Sequence, residues 1–317
     1  MSAKAWECGK IWFFALQDKA VTATLEFTGE RFTPECVREI WYEHFHRYAL
    51  AAYWCTDQRT LDAACGEGYG SAMLADSAAS VEAVDISEQA IEHARERYGH
   101  IDELGFHQAD CTRLPFADDE FDRVVSFETL EHLAEQDGLM AEFKRVLKAD
   151  GCLILSSPDK AVYSDKHGSN NEFHVKELYR EELDALIGQY FPVSRLLGQK
   201  LMFYSAIWSL GNINRVTLDQ VSAGHLTAPG RITQRPMYYI ALCAATEADL
   251  PQTSGQLYLF DDWEESVYQH YQSEIGRNMA AGGIIAGLEK QVRELQASAG
   301  SATSSRVPWW RRLLGKS

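Results

Sequence analysis

The sequence predicts an α/β protein in which helices cover both faces of one mostly parallel sheet of seven strands. Short apolar runs alternate with helical patterns between residues 60 and 244, and such alternation builds a doubly wound parallel sheet. A glycine-rich turn follows the first run, and an acidic residue ends the second. We expect both at the carboxyl ends of strands, where ligands bind in folds of this kind.

Seven apolar runs are predicted to be strands, and helices are predicted between them. The strands cover residues 60–64, 81–85, 104–109, 121–127, 152–156, 193–197 and 237–244. The helices cover residues 34–53, 71–77, 88–98, 139–147 and 177–187. The helix over 88–98 has the clearest ends, because Ser87 is a suitable N-cap and Gly99 a suitable terminator.

Composition indicates a globular intracellular chain. The sequence has 317 residues, 46% of them hydrophobic, which is enough for a sizeable core. Its apolar runs are much shorter than the roughly 18–20 residues of a membrane span. A formal net charge of −16 disfavours nucleic acid as a partner, since phosphate binding needs a local excess of Lys and Arg. Seven scattered cysteines without a CxxC motif favour the reducing cytoplasm over a disulfide framework.

The chain divides into five predicted segments. They are an appendage at 1–29, the main domain at 30–245, a linker at 246–262, a helix at 263–297 and a flexible tail at 298–317. Apolar residues of the helix recur from Ile285 to Leu295 at three- and four-residue steps, which predicts self-association through a short coiled coil. The tail VPWWRRLLGKS is basic and aromatic, which predicts peripheral contact with the inner face of a membrane.

The glycine-rich turn LDAACGEGYGS, residues 61–71, is the strongest functional signal. Gly66 and Gly68 let the backbone turn tightly and approach a ligand, and Gly70 allows close helix contact. Asp85 ends the second strand 19 residues after Gly66, a spacing typical of a carboxylate that binds both ribose hydroxyls. A plain tight turn would explain the glycines alone, but the two features together predict a nucleoside site.

Two carboxylates indicate the charge of that ligand. Asp62 precedes the turn and Glu67 lies inside it. A dinucleotide site places a helix N-terminus against a pyrophosphate, which these carboxylates would repel, whereas they suit a cation or an amino group. S-adenosylmethionine carries a sulfonium and an ammonium group, so we predict it as the cofactor.

With these residues, the chain resembles the class I S-adenosylmethionine-dependent methyltransferases of the type 11 group. The resemblance is close over residues 61–157, including LPFADDEFDRVVSFETLEHL, and looser over 30–244. It implies a Rossmann-like methyltransferase fold with a C-terminal helical extension. The cofactor-binding residues that it implies are Asp62, Ala64, Gly66, Gly68, Tyr69, Asp85, Ile86, Asp110, Cys111 and Phe127.

The resemblance also implies roles for these residues. Asp62 and the turn would hold the methionine part, and Asp85 would bind the ribose with Ile86 packed on the adenine. Asp110 would accept from the adenine amino group beside the Cys111 backbone, and Phe127 would close the floor. Ala64 stands where the family usually has a glycine, so we expect a slight backbone adjustment there.

Acidic and histidine residues after the fourth and fifth strands are candidates for catalysis. Methyl transfer requires an acceptor held in line with the methyl group, and positioning can supply about 7–11 kcal/mol. A general base assists when the acceptor is an alcohol. The candidates are Glu128, Glu131, His132, Asp159 and His174. Of these we predict His132, Glu131 and His174 as catalytic.

The stretch Glu128-Thr-Leu-Glu131-His132 allows three interpretations. His132 acts as the base, oriented by a glutamate, or Glu131 and His132 only orient the loop by hydrogen bonds. Alternatively, Glu128, Glu131 and His132 ligate a divalent ion, as the similar stretch of ubiquinone-pathway O-methyltransferases does with magnesium. We do not favour the magnesium site. His174 either faces the acceptor or merely precedes a helix.

Further segments of the sequence indicate the chemical class of the methyl acceptor. FTGERFTPE, EHFHRYALA, SSPDKAVYSD and NEFHVKELYREEL resemble bacterial methyltransferases that accompany glycosyltransferases of surface-polysaccharide assembly. This resemblance implies O-methylation of a sugar hydroxyl on an O-antigen-like glycan. It also places Glu30, Arg31, His46 and Arg47 on a lid over the cofactor, with residues 198–236 capping the acceptor. A phenol or quinone-like acceptor and an inactive S-adenosylmethionine-binding scaffold are the alternatives.

Overall fold

The computed structural model describes residues 39–166, 168, 171–204, 206, 218, 220–222, 225–227, 231–261 and 265–304. The chain divides into two compact units, Met1–Phe260 and Asp261–Ser317. The predicted appendage, Glu30, Arg31, most of the predicted acceptor cap and residues 305–317 of the tail lie outside the described residues.

The described residues of the first unit form strands and helices in the predicted alternation. The strands are β1 Arg59–Ala63, β2 Ser80–Asp85, β3 Leu104–Gln108, β4 Phe121–Ser126, β5 Leu147–Pro158, β6 Val193–Gln199, β7 Gln220–Ser222, β8 His225–Thr227 and β9 Tyr238–Ala244. The helices are α1 Glu39–Cys55, α2 Tyr69–Ala75, α3 Glu88–Tyr98, α4 Gln136–Val146 and α5 Arg180–Tyr190.

The main sheet has seven strands in the order β3-β2-β1-β4-β5-β9-β6. Strands β1 to β5 pair in parallel, whereas β9 runs antiparallel to both β5 and β6. The predicted doubly wound, mostly parallel sheet is therefore confirmed. Because β1 lies between β2 and β4, the direction of strand progression reverses at β1, and ligands bind at such a reversal in this class of sheet.

The core occupies both faces of this sheet, since successive strand residues point to opposite sides. Val124 packs into the cluster that contains Phe143 of α4. Its neighbour Val125 packs into the opposite cluster, with Leu74 of α2 and Ile91 of α3. Both faces being covered, the open surface for a ligand lies at the strand ends.

Several boundaries differ from the prediction. Helix α5 begins at Arg180 rather than at residue 177, because the Tyr179 N–H donates to the Glu182 carboxylate at 2.9 Å and caps the helix there. Residues 246–260, most of the linker predicted at 246–262, belong to the first unit and pack into it. Leu250 and Thr253 are buried, and the Phe260 ring stacks on His46 with 5.5 Å between ring centroids.

The second unit contains the predicted helix, α6, which spans Ser266–Ser304. The helix continues beyond residue 297, so residues 298–304, predicted as flexible tail, are helical. The exposed apolar side chains of its second half are Ile284, Ile285, Leu288, Val292 and Leu295. Among the described residues, no helix combines the length and apolar character needed to cross a bilayer.

Candidate active site

The turn after β1 forms a tight loop at the carboxyl end of the sheet. Ala64, Gly66 and Gly68 have φ values of 62°, 58° and 88°, all in the left-handed region that favours glycine. Ala64 therefore keeps the glycine-type conformation, where we predicted a backbone adjustment, at a cost of about 1–2 kcal/mol. Such strain persists where the surroundings hold the chain firmly, and the Gly66 N–H donates to Asp85 at 2.9 Å.

Asp85 joins this turn to the next strand. Its Oδ2 accepts from the Gly66 N–H and its Oδ1 from the Ser87 N–H, both at 2.9 Å. Ser87 also caps α3 as predicted, accepting from the Ala90 N–H at 3.3 Å. Beside this carboxylate, the Ile86 side chain is 69% exposed. The end of β2 thus presents a carboxylate next to an uncovered apolar side chain.

Asp110 and Cys111 follow β3 at the same edge of the sheet. The exposed Asp110 carboxylate accepts from the Thr112 N–H at 2.8 Å and from its hydroxyl at 2.7 Å. Cys111 is buried, and burial raises the pKa of its thiol to about 12. The thiol is neutral at pH 7, so it offers no thiolate nucleophile.

Asp62 is enclosed beneath the turn. Its carboxylate is fully buried and accepts from the Ser71 hydroxyl at 2.6 Å and the Tyr48 hydroxyl at 3.1 Å. Burial raises its pKa to about 7, although both hydrogen bonds oppose this shift. The carboxylate holds the turn from below, and a change of its charge falls near neutral pH.

The aromatic residues predicted at the cofactor pack around Tyr48. Its ring makes edge contacts with Tyr69 at 5.3 Å and with Phe127 at 5.0 Å between centroids, and all three are buried. A Cβ at Gly70 would lie 2.1 Å from the Tyr48 Cζ, so the predicted close helix contact is confirmed. Tyr48 of α1 was not predicted, since no local pattern relates it to the turn.

Glu67 is directed away from the turn, which corrects the charge argument made for it. Its Oε2 lies 3.1 Å from His93 Nε2 and 3.4 Å from Arg97 Nη1, both on α3. The side chain is 1% exposed. Because α3 supplies these partners, the Glu67 charge is compensated inside the protein rather than presented to a ligand.

Glu128 occupies the turn after β4. Its φ of 51° is left-handed, and it is held by Ser156 of β5. The Glu128 N–H donates to the Ser156 hydroxyl at 3.0 Å, and that hydroxyl donates to Glu128 Oε1 at 2.6 Å. The carboxylate therefore faces β5, with Arg47 Nη1 3.9 Å away.

The segment after β5 folds back onto the loop after β4. The N–H groups of Val175 and Lys176 both donate to the Glu131 carbonyl at 2.9 Å. The buried Gln136 side chain donates to the Leu130 and Lys176 carbonyls, also at 2.9 Å. Sequence reasoning missed Gln136, because its second partner, Lys176, is distant in the chain.

This folding brings His132 and His174 together, with 5.1 Å between ring centroids. His132 Nδ1 lies 3.0 Å from the Phe173 carbonyl oxygen. A carbonyl only accepts, so Nδ1 carries a proton, and in the neutral imidazole the acceptor nitrogen is Nε2. His174 Nδ1 lies 2.5 Å from Glu177 Oε1, so Nδ1 donates to this carboxylate and Nε2 is directed away from it. His174 therefore lies beside His132 and also precedes helix α5, so its role at the acceptor stays a prediction.

Glu131 completes a group that we call the acceptor cluster: Glu131, His132 and His174. The Glu131 side chain is fully buried, and neither carboxylate oxygen has a hydrogen-bond partner among the described residues. Burial and the nearby Glu128 charge raise its pKa well above the usual range. One oxygen of Glu131 and one ring nitrogen of each histidine lie within 4.8 Å of one another.

Two other predicted groups lie elsewhere. Asp159 is buried and contacts the Tyr239 hydroxyl at 3.3 Å, so it does not join the acceptor cluster. Arg47, predicted on a lid, is 1% exposed and donates to the Gln199 side chain at 2.8 Å. It links α1 to the end of β6 as part of the interior.

The strand order and the acidic strand ends define the Rossmann-like methyltransferase fold. In agreement, residues 61–155 match a family model described as a methyltransferase domain. That range holds most of β1 and of β5 and all of β2, β3 and β4, together with every residue predicted to bind the cofactor.

Curated relatives are also named as methyltransferases. A probable S-adenosylmethionine-dependent methyltransferase of Mycobacterium tuberculosis is 37% identical over 171 residues, 53% of this chain and 61% of its own. Another of Mycolicibacterium smegmatis is 34% identical over 173 residues, 54% of this chain and 66% of its own. A demethylmenaquinone methyltransferase of Clavibacter sepedonicus is 42% identical over 98 residues, 31% of this chain and 40% of its own.

The chain spans less than two thirds of the length of these relatives. The matches support the predicted assignment to the class I S-adenosylmethionine-dependent methyltransferases. The names of both mycobacterial relatives agree with the predicted cofactor.

Proposed function

We propose that the protein is an S-adenosylmethionine-dependent O-methyltransferase that modifies a sugar hydroxyl of a bacterial surface polysaccharide, in the cytoplasm at the inner face of the membrane. One observation carries the proposal. The acidic ends of β1, β2 and β3 lie at the same edge of the sheet as the acceptor cluster after β4 and β5.

The donor side fits an adenosyl cation. Asp85 would bind the ribose hydroxyls, since its carboxylate lies at the end of β2 directly beside the turn after β1. The exposed Ile86 side chain would pack on the adenine, and the exposed Asp110 would accept from its amino group. Asp62 would favour the positively charged methionine part through the turn that it supports.

When bound, S-adenosylmethionine supplies a methyl group that forms a bond to the acceptor oxygen as its bond to sulfur breaks, leaving the neutral thioether S-adenosylhomocysteine. The chain must remove the hydroxyl proton, which passes to the acceptor cluster, with His132 Nε2 as the predicted base. The Phe173 carbonyl would hold the required tautomer of His132, and the two backbone bonds from Val175 and Lys176 to Glu131 hold the segment that carries His174 against the loop that carries His132.

The acceptor cluster is what favours a hydroxyl acceptor. An alcohol keeps its proton at neutral pH, so a site for alcohols needs a proton acceptor, whereas an amine with a free lone pair does not. The two imidazole nitrogens and the buried carboxylate of the acceptor cluster can serve as such proton acceptors. The sugar itself rests on the resemblance to methyltransferases that accompany glycosyltransferases.

A phenol or quinone-like acceptor is the second candidate. One relative is named as a demethylmenaquinone methyltransferase, and its 42% identity extends over 98 residues. The same proton acceptors would serve a phenol, so the two candidates differ in the acceptor rather than in the machinery.

Calorimetry and radiolabelled methyl transfer test the proposal together. The protein should bind S-adenosylmethionine and S-adenosylhomocysteine but not NAD⁺, and should label sugar acceptors in preference to phenols and hydroquinones. Preferential labelling of phenols would establish the second candidate. Cofactor binding without transfer to any acceptor would favour an inactive scaffold, and tighter binding of NAD⁺ would overturn the cofactor assignment.

A further inference from the structure

A cavity of about 300 Å³ lies beside the end of β6 and is not used by the donor site or the acceptor cluster. We propose, on the basis of the proposed function, that this cavity binds a phosphate group carried by the acceptor. The described residues that line it come from the start of α5, from β6 and the residues after it, and from the segment that leads into β9. We call it the edge cavity, and its polar lining residues are Arg180, Gln199, Lys200, Gln234 and Tyr239.

The edge cavity lies at the same edge of the sheet as the acceptor cluster. Gln199, the last residue of β6, pairs with Tyr238, which in turn pairs with Pro158 at the carboxyl end of β5. The Tyr238 ring contacts Tyr163 with 5.9 Å between centroids, and Tyr163 stacks on His174 at 5.1 Å. An acceptor that extends from the cluster along this edge would therefore reach the cavity.

The lining of the edge cavity is positively charged in a strongly acidic chain. Arg180 and Lys200 are cationic, and none of the described lining residues is acidic. Because the whole chain has a formal net charge of −16, the cavity is locally opposite in sign to the rest of the protein and would attract an anion. A phosphate ester presents several charged oxygens, so it can bond to a guanidinium and an ammonium group at once.

Both cations have donor groups left for such a ligand. Arg180 Nε lies 3.5 Å from the exposed Asp184 carboxylate, and its Nη groups make no hydrogen bond or ion pair among the described residues. The half-buried Lys200 likewise has no ion-pair partner in the described part of the chain. The buried Asp159 carboxylate accepts from the Tyr239 hydroxyl at 3.3 Å, so that hydroxyl is already engaged and the two cations are the groups that would meet an anion.

Apolar side chains lie beside these cations. Met202 and Ile232 line the cavity, and Ile232 is 36% exposed. The Tyr204 hydroxyl lies 3.2 Å from the Met202 sulfur, and Tyr204 and its neighbour Phe203 are exposed. Basic groups next to exposed aromatic and aliphatic side chains suit an amphiphile with an anionic head. We therefore expect a phosphate on an apolar chain to bind more tightly than a phosphate on a nucleotide.

Calorimetric titration of the full chain tests the cavity without any methyl transfer. The protein is first saturated with S-adenosylhomocysteine, so that no probe can enter the donor site. The probes are geranyl phosphate, which carries its phosphate on an apolar chain, UDP-glucose, which carries it on a nucleotide, and glucose, which has none. We expect geranyl phosphate to bind, UDP-glucose to bind more weakly, and glucose not to bind. Tighter binding of UDP-glucose would identify the nucleotide as the carrier and would still support the phosphate site.

Variants of the two cations locate the binding. Arg180→Gln and Lys200→Gln should each weaken binding of the preferred phosphate about tenfold, since each removes one charge-assisted bond, and Lys200→Glu should weaken it further by repulsion. Lys290→Gln is the matched control, because it removes one charge from an exposed residue of α6 that does not line the cavity. All variants should keep the wild-type affinity for S-adenosylhomocysteine.

Two results would overturn the phosphate site: no binding of either phosphate probe, or equal affinities of the wild type, Arg180→Gln and Lys200→Gln. Failure of the proposed function would look different. Phosphate binding that depends on these two residues, in a protein that methylates no sugar, would overturn the sugar acceptor and leave the phosphate site standing.

Discussion

Asp85 offers the sharpest test of the donor site. Asp85→Ala removes a carboxylate that accepts two backbone N–H bonds at 2.9 Å, one from the turn after β1 and one from the start of α3. Hydrogen bonds to a charged group contribute about 1.5–3 kcal/mol each. Asp85 lies at the edge of the sheet, where water can replace part of the lost hydrogen-bond stabilisation. We therefore expect the variant to lose about 3 kcal/mol in the free energy of unfolding.

Donor affinity should fall further than a loosened turn alone would explain. If Asp85 binds the ribose, the variant loses at least one charge-assisted bond, worth about 1.5–3 kcal/mol, or about 10–100-fold in Kd. Calorimetric titration with S-adenosylhomocysteine, alongside urea unfolding, measures both effects. Asp85→Asn keeps one acceptor oxygen and should give intermediate losses in both measurements.

Asp102→Ala is the control, since Asp102 is exposed and precedes β3 at the opposite, amino edge of the sheet. It should leave both quantities unchanged. An Asp85→Ala protein with wild-type affinity for S-adenosylhomocysteine would refute the ribose assignment. A wild-type free energy of unfolding would refute the structural role given to the two backbone bonds.

Three further predictions concern stability and assembly. The Asp62 pKa is raised from 3.8 to about 7, so wild-type stability relative to Asp62→Asn should fall as the pH rises from about 4 to 7 and level off above it; parallel urea-unfolding curves across that range would contradict this. Gly70→Ala should destabilise by about 1–3 kcal/mol through overpacking on Tyr48, whereas Gly188→Ala in α5, with nothing within 4 Å of its added Cβ, should not; equal thermal midpoints for the two would dispute the clash. Leu288→Asp on α6 should abolish the self-association predicted for that helix, as measured by sedimentation velocity, while Gly287→Ala should preserve it; a monomeric wild type would remove the basis for a coiled coil.

Local pattern was sufficient for the sheet and for much of the donor site. Apolar runs of strand length, separated by helical segments, predicted all seven strands of the main sheet. The roles of the turn glycines and of Asp85 could be predicted from sequence, because the backbone conformation of a turn depends on the residues of the turn itself. Gly66 and Gly68 are left-handed as glycines at a tight turn can be.

Only the tertiary structure decided which partner each polar side chain meets. Asp62 is enclosed by Tyr48 of α1, Glu67 is compensated by α3, and neither contact has a sequence pattern. His132 and His174 lie 42 positions apart in the chain (174 − 132) and meet because two N–H groups bond to one carbonyl. The sequence by itself determined the seven strands of the main sheet and the turn after β1. Long-range packing decided which partners the charged side chains meet, because hydrophobic periodicity does not encode contacts between distant residues.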